Sequence, residues 1–340
     1  MRQVCHACLG GVPGEVFVAE KGAGADRRSR RPAVRAAAGG GDDETVTTET
    51  VTKETVTTAR LFQVDAFAPG PFEGNSAAVL VLQHEPDDEF GPAIGAELNQ
   101  PATAVVWPAG KPGRFRLRWF TATGELELCG HGTLAAARVL LDDGHSVGDR
   151  IQFDTCYGPL EAQSAGEWIQ LRFPNLAPEP LADAGLADAV RAALSVPVTE
   201  ILRNDLDVMA VLDSPAAVRD LQPDLGTLRE LPFRGLIVTA EREDFAGEAD
   251  IVADDTADFV SRFFHVADGT EDQVTGSAHC ALGPYWIARL GRQPLTGRQL
   301  SARGGLVRVA LDGDDVLLGG EALVVAEGVW RLPVANKLIL

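Results

Sequence analysis

From Arg60 onward, apolar side chains fall at every second position in short runs, opening with Phe62, Val64 and Ala66. Phe115, Leu117 and Trp119 alternate with Arg114, Arg116 and Arg118, and Leu126 and Leu128 alternate with Glu125 and Glu127. Runs at 168–173, 207–212, 235–240, 306–311 and 322–330 are short, rich in β-branched or aromatic residues, and bounded by Gly, Asp or Pro. A period of two puts one set of side chains on one face of an extended chain, so these runs predict strands, mostly antiparallel. Spacing that separates apolar from polar faces around a helix appears at 89–98, 183–194 and 215–221. Two other segments, 134–141 and 281–290, are apolar nearly all round, which predicts helices buried on every side.

Each of those two buried helices follows a turn of small residues. Cys129-Gly130-His131-Gly132-Thr133 matches Thr275-Gly276-Ser277-Ala278-His279 in position, which predicts a duplicated plan with one sheet around each helix. A Gly-containing turn feeding a helix leaves the first backbone N–H groups unpaired at the positive end of the helix dipole, which suits an anion. Taken singly, such a turn needs only Gly130 or Gly276 to permit a tight bend and His131 to sit as a surface cap. Two turns at matched positions instead predict one cleft between lobes, suited to a small carboxylate whose developing enolate charge must be stabilised.

Ahead of the alternating pattern the composition changes. Residues 1–38 carry seven basic and three acidic side chains, with Arg27, Arg28, Arg30, Arg31 and Arg35 among Gly and Ala. This segment resembles an organelle transit peptide, which would place the protein in a plastid; as a dispensable extension, it leaves the protein cytoplasmic. Residues 39–59 hold a five-residue repeat beginning at Glu44, Glu49 and Glu54, and its polar bias predicts a solvated linker. The whole chain of 340 residues has a formal charge of −19. That balance argues against a protein that covers nucleic-acid phosphates or an anionic membrane surface. No apolar run of membrane-spanning length is present, and five cysteines, an odd number, argue against a disulfide framework.

Further motifs identify a resemblance. Val64-Asp65-Ala66-Phe67, the run Pro71 to Val79, Arg118-Trp119-Phe120-Thr121 leading into Glu127-Leu128-Cys129-Gly130-His131, Glu271 to Cys280, and Gln299 through Arg303-Gly304-Gly305 are similar to the PhzF-like family, named for phenazine biosynthesis. The motifs come in family order over residues 60–340. The resemblance implies an α+β fold of the diaminopimelate-epimerase type: two similar lobes, each a barrel-like, mostly antiparallel sheet wrapped around a central buried helix. The expected lobes are 60–174 and 175–322, with 323–340 returning to the first. It also implies an isomerase that moves a proton on a small carboxylate, without metal, flavin or nicotinamide, and acts as a homodimer. Carried over by position, His131, Asp272 and Ser277 contact substrate, Gly130 and Gly276 turn their amides toward it, and Asn75 and Thr275 join the binding set.

One position departs from the family pattern. The family's proton-shuttling glutamate falls at Ala102, within Glu97-Leu98-Asn99-Gln100-Pro101-Ala102-Thr103-Ala104, and a methyl group cannot hold a proton. Cys129 is the leading substitute: its turn resembles that of proline racemase, and a helix start lowers a thiol pKa. The matching position for a second cysteine is Thr275, so a one-base reaction, such as a dehydration or a suprafacial proton shift, fits better than racemisation. The alternative is a carboxylate-binding protein that is catalytically silent. Glu97, Glu125 and Glu127 are expected to face solvent. His131 has a near-neutral pKa suited to proton transfer. Asp272 either holds His131 or substrate, or caps a helix.

Other apparent motifs are weaker. Cys5-His6-Ala7-Cys8 has metal-ligand spacing without a second pair. Cys156 and Cys280 are expected in the core, His84, His145 and His265 are expected to be isolated, and Asp312 to Asp315 reads as a hairpin turn rather than a calcium loop.

Overall fold

The computed structural model describes residues 57–242 and 257–332. The transit-peptide-like segment, the Cys5/Cys8 pair and all but the end of the linker lie outside the described residues. Strand β1 (Thr57–Ala66) starts inside the segment read as linker, so that boundary falls earlier than expected. The Thr-rich lead-in is drawn into β1 because it pairs with the C-terminal strand, Thr57 opposite Leu332. No helix among the described residues is long and apolar enough to cross a membrane.

The chain continues through β2 (Asn75–Val81), α1 (Phe90–Leu98), β3 (Ala102–Lys111), β4 (Arg114–Thr121), β5 (Gly124–Leu126), α2 (Gly130–Asp142), β6 (Arg150–Asp154), β7 (Pro159–Ala165) and β8 (Trp168–Pro174). A second run follows: β9 (Glu179–Pro180), α3 (Ala184–Leu194), β10 (Glu200–Arg203), β11 (Asp207–Val211), α4 (Pro215–Arg219), α5 (Leu225–Leu228), β12 (Gly235–Glu241), β13 (Phe259–His265) and β14 (Glu271–Asp272). The last elements are α6 (Gly276–Leu290), β15 (Leu295–Gln299), β16 (Gly305–Asp312), β17 (Asp315–Gly320) and β18 (Ala322–Leu332).

The order of pairings is written twice. β1 runs antiparallel to β2, β2 parallel to β3, β3 antiparallel to β4, β4 parallel to β6, and β6, β7 and β8 follow antiparallel. The series β10, β11, β12, β13, β15, β16, β17 repeats those directions in the same order. The parallel steps fall where a helix carries the chain back to the same edge, and the rest are hairpin-like and antiparallel. β8 pairs with β17 and joins the two runs, while β18 returns to β1.

Helix α2 packs against β1, β2, β3, β6, β7, β8 and β18. Its Ala135, Ala136 and Ala137 are fully buried, and only small side chains let strands approach a helix on so many sides. Helix α6 packs against β15, β16 and β17 and touches α2. Pro284, inside α6, has no N–H for the carbonyl of Cys280, and that carbonyl accepts instead from the Leu176 N–H at 3.2 Å. α2 and α6 share one apolar core with the inner faces of both strand runs. The outer faces are covered separately: α1 packs Ile94 near Val105, Trp107 and Phe120, and the layer from α3 to α5 covers β10 to β13.

The loop before β2 is fixed from the far end of the sequence. Arg303 donates to the carbonyls of Glu73 and Gly74 at 2.8 Å each and pairs with buried Asp65 at 2.7 Å. Gly74 itself sits at φ +70, where a Cβ would meet the Ala66 carbonyl oxygen at 2.3 Å, so no other residue fits the turn. Arg303→Met leaves the Asp65 carboxylate buried without its cation. The expected loss is roughly 2–4 kcal/mol of unfolding free energy, read by urea titration. An unchanged urea midpoint would contradict the clamp.

Candidate functional site

The site begins where strand hairpins deliver the chain into the two buried helices. After β4 and β5 the backbone is extended at Cys129 (φ −141, ψ 107), then enters α2 at Gly130. After β13 and β14 it is extended at Thr275 (φ −110, ψ 103), then enters α6 at Gly276. The two starts touch. A Cβ on Gly130 would lie 3.3 Å from the Gly276 Cα, and a Cβ on Gly276 would lie 3.3 Å from the Gly130 Cα. Two helix N-termini, each a positive dipole end, therefore abut at one place. The correspondence extends into the first turns: Thr133 donates its hydroxyl to the Cys129 carbonyl at 2.6 Å, and His279 meets the Thr275 carbonyl through Nδ1 at 2.8 Å.

Asp272 lies at the centre of a hydrogen-bond net around the α6 start. Its carboxylate accepts from Asn75 Nδ2 at 2.8 Å, from the Gln273 N–H at 2.9 Å and from the Thr275 hydroxyl at 2.6 Å. Of the two readings of Asp272, helix capping is not what forms, because Thr275 is the N-cap of α6 and Asp272 takes its hydroxyl. Gln299 closes the net, accepting from the Thr275 N–H and donating to the Asp272 carbonyl, both at 2.9 Å. Asn75 is fully buried and also donates to the Val274 carbonyl at 2.9 Å, so the loop clamped by Arg303 reaches the α6 start directly.

On the α2 side, the Cys129 sulfur lies 3.6 Å from Nδ1 and 3.8 Å from Nε2 of His131. Burial pushes the Cys129 thiol up to about 12, opposed by the Gly132 N–H at 3.4 Å and reinforced by the charge of Asp272. The expectation that the helix start lowers this thiol pKa is overturned, since loss of solvation outweighs one long hydrogen bond. Burial likewise holds the His131 imidazole below its ordinary value, with the Asp272 charge acting in the opposite direction. Near neutral pH, the pair is a protonated thiol beside a neutral ring.

Ser277, in the first turn of α6, accepts from Arg234 Nη2 at 2.8 Å. Arg234 is gripped by Asp207 through bonds of 2.9 and 2.6 Å, and the Asp207 side chain is completely buried. Sequence reasoning missed this pair. Its only signal was a charged residue at the mouth of two apolar runs, Asp207 opening 207–212 and Arg234 preceding 235–240.

Ala102 opens β3 opposite Ala77 of β2 and is wholly buried in the apolar core. Glu97, Glu125 and Glu127 are exposed, and Glu125 is held by Arg118 at 2.8 and 2.7 Å.

Compared with known proteins, residues 64–328 match the family model for phenazine biosynthesis-like proteins, PhzC-PhzF. The chain belongs to the PhzC-PhzF family. A protein of Pseudomonas aeruginosa, named only as an uncharacterized isomerase, is 40% identical over 276 residues, covering 80% of this chain and 98% of the relative. A mouse phenazine biosynthesis-like domain-containing protein is 35% identical over 286 residues, covering 79% of this chain and 97% of the relative. The crystal structure of a PhzF family protein from Enterococcus faecalis superposes with a TM-score of 0.73 at 34% identity, covering 81% of this chain and 100% of that one. A hydroxyproline epimerase from Agrobacterium vitis, at 13% identity and a TM-score of 0.51, shares the fold alone.

In this PhzC-PhzF chain, the remaining motifs settle as follows. Cys280 is buried, but Cys156 is exposed, with its sulfur 3.5 Å from the Glu127 carbonyl; it belongs to a turn rather than the core. His84 and His145 are exposed and His265 is half-buried. Gly313 and Asp314 link β16 to β17 as a hairpin turn, with Asp312 opposite Asp315. No group of three or more His, Cys, Asp or Glu side chains among the described residues is placed to hold a metal ion.

His279 supplies a pH test of the α6 start. Burial pushes its pKa down from 6.5 to about 4, against the hydrogen bond to the Thr275 carbonyl. The unfolded chain then binds more protons in that interval, so stability is full above the upper value and lost as the pH falls toward the lower one, by roughly 3 kcal/mol. Urea unfolding near pH 7 and near pH 4.5 is expected to show this loss, and His279→Gln to flatten it. An equal slope in parent and variant would contradict the assignment.

Proposed function

We propose that the protein is an isomerase that moves a proton on a small carboxylate bound between two lobes of like plan, where α2 and α6 begin. The observation that carries this reading is the contact of Gly130 with Gly276, which brings two helix N-termini to one point. The repeated order of strand pairings supports the two-lobed plan. Family membership supports isomerase chemistry, and the homodimer is carried over from the resemblance alone.

In this reading, the amides beginning at Gly130 and Gly276 hold the carboxylate and the enolate charge that develops from it. The Ser277 hydroxyl oxygen already accepts from Arg234, so its own hydrogen is left to donate to the ligand. Asn75 and Thr275 fix Asp272, whose charge favours the protonated form of His131. His131, kept neutral because burial outweighs the Asp272 charge, is the preferred base. A C–H bond breaks, its proton passes to the neutral imidazole, and its electron pair enters the enolate. The imidazolium, balanced by Asp272, exchanges its proton with solvent and delivers a proton to a neighbouring carbon on the same face. Cys129, a protonated thiol beside the ring, serves as hydrogen-bonding partner rather than base.

A second reading rests on Ala102: a methyl group in an apolar wall at the family's glutamate position fits a protein that binds carboxylates without turning them over. Incubation in D₂O with a panel of α-amino and cyclohexadiene carboxylates separates the two. The isomerase reading expects deuterium in at least one substrate, an exchange rate lowered by roughly 100-fold in His131→Asn, and loss of ligand affinity in Gly130→Val. Carboxylate binding by calorimetry without exchange, with exchange appearing in Ala102→Glu, would favour the silent binder. A folded parent protein that neither binds nor exchanges would overturn both.

A further inference from the structure

Among the fully buried side chains are two tryptophans, and they are treated differently. Trp286, on α6, donates its indole N–H to the Thr239 hydroxyl at 3.0 Å. Trp119, on β4, has no hydrogen-bond partner for Nε1 among the described residues. An indole N–H is a donor only, and burying it without an acceptor destabilises the folded state, so buried tryptophans ordinarily find one.

The place of this donor is specific. Trp119 pairs across the sheet with Ala104 of β3 and Leu126 of β5, and shares the inner apolar core with Ala102, Ala104 and Cys129. Its ring edge lies on the first turn of α2. A Cβ on Gly132 would sit 2.8 Å from the indole Cδ1, 3.4 Å from Nε1 and 3.0 Å from the Cys129 sulfur. The orphan N–H and the thiol thus both face Gly132, which is packed too closely against them to carry a side chain. Elsewhere in the site, the carbonyl oxygen Oδ1 of Asn75, also fully buried, has no partner among the described residues, although Nδ2 of the same amide bonds to Asp272.

We propose that Trp119 is a substrate-binding residue whose indole N–H donates to an oxygen of the small carboxylate held at the start of α2. This assignment rests on the carboxylate-site reading above and adds a side-chain donor to the backbone amides. It explains why the chain tolerates a buried unpartnered donor here and not at Trp286: the partner arrives with the ligand. Asn75 Oδ1 matches the same ligand class, a carboxylate that also carries an N–H or O–H group.

The test uses the full chain, benzoate as the probe, and calorimetry for affinity. Trp119→Phe keeps an aromatic ring and removes the N–H. The expected result is a roughly tenfold loss of benzoate affinity with a thermal midpoint equal to or above that of the parent. Affinity within about twofold of the parent, whether or not the midpoint moves, overturns the assignment while leaving the carboxylate site standing. Absence of benzoate binding by the parent overturns the site reading and this assignment together. Should Trp119→Phe fail to fold, parent protein carrying ¹⁵N-tryptophan is titrated with benzoate. A shifted indole N–H resonance supports the assignment, and unmoved indole resonances overturn it.

Discussion

The contact between Gly130 and Gly276 constrains the candidate site more than any other single feature. With each potential Cβ position 3.3 Å from the opposite Cα, neither helix can begin with a larger residue unless the two starts separate. Such a close approach places two sets of N-terminal amides and two dipole ends in one neighbourhood. It also requires each helix to be delivered at a fixed depth, which the strands around it provide. Small residues along α2 let seven strands close on it, and a carbonyl of α6 freed by Pro284 is taken by Leu176.

Electrostatically, the two sides of the site are unlike. On the α2 side, burial dominates, leaving a neutral imidazole beside a protonated thiol. On the α6 side, polar partners fix the charged side chains, with Asp272 held by Asn75, Thr275 and the Gln273 amide, and Arg234 held by buried Asp207. A helix start lowers a thiol pKa, yet at Cys129 burial raises it and outweighs the hydrogen bond from the Gly132 N–H. The reaction proposed above draws on this asymmetry, with one neutral base and a fixed carboxylate rather than a pair of matched bases facing each other.

Much of this was legible in the sequence, for physical reasons that differ by element. Strands with one polar face, such as β4 with its alternating arginines, announced themselves by period two. The strands β2, β3 and β13 did not, because cover on both faces buries successive residues and removes the alternation. The two buried helices were legible from composition, and their paired starts from the repeated small-residue turn. The Asp207–Arg234 pair was not, since 27 residues separate partners that meet only when β11 and β12 lie side by side. Cys156 misled because thiols are usually buried, yet its turn lies at the surface. The orphan N–H of Trp119 was invisible in principle: alternation predicts that a side chain is buried, not whether its polar atom finds a partner.

The most direct test of the account is amide NMR on protein labelled with ¹⁵N-glycine, titrated with benzoate. If the two helix starts form one anion site, Gly130 and Gly276 shift together along a single binding curve. A response at one glycine alone, at neither, or at both with clearly different affinities would contradict the shared site.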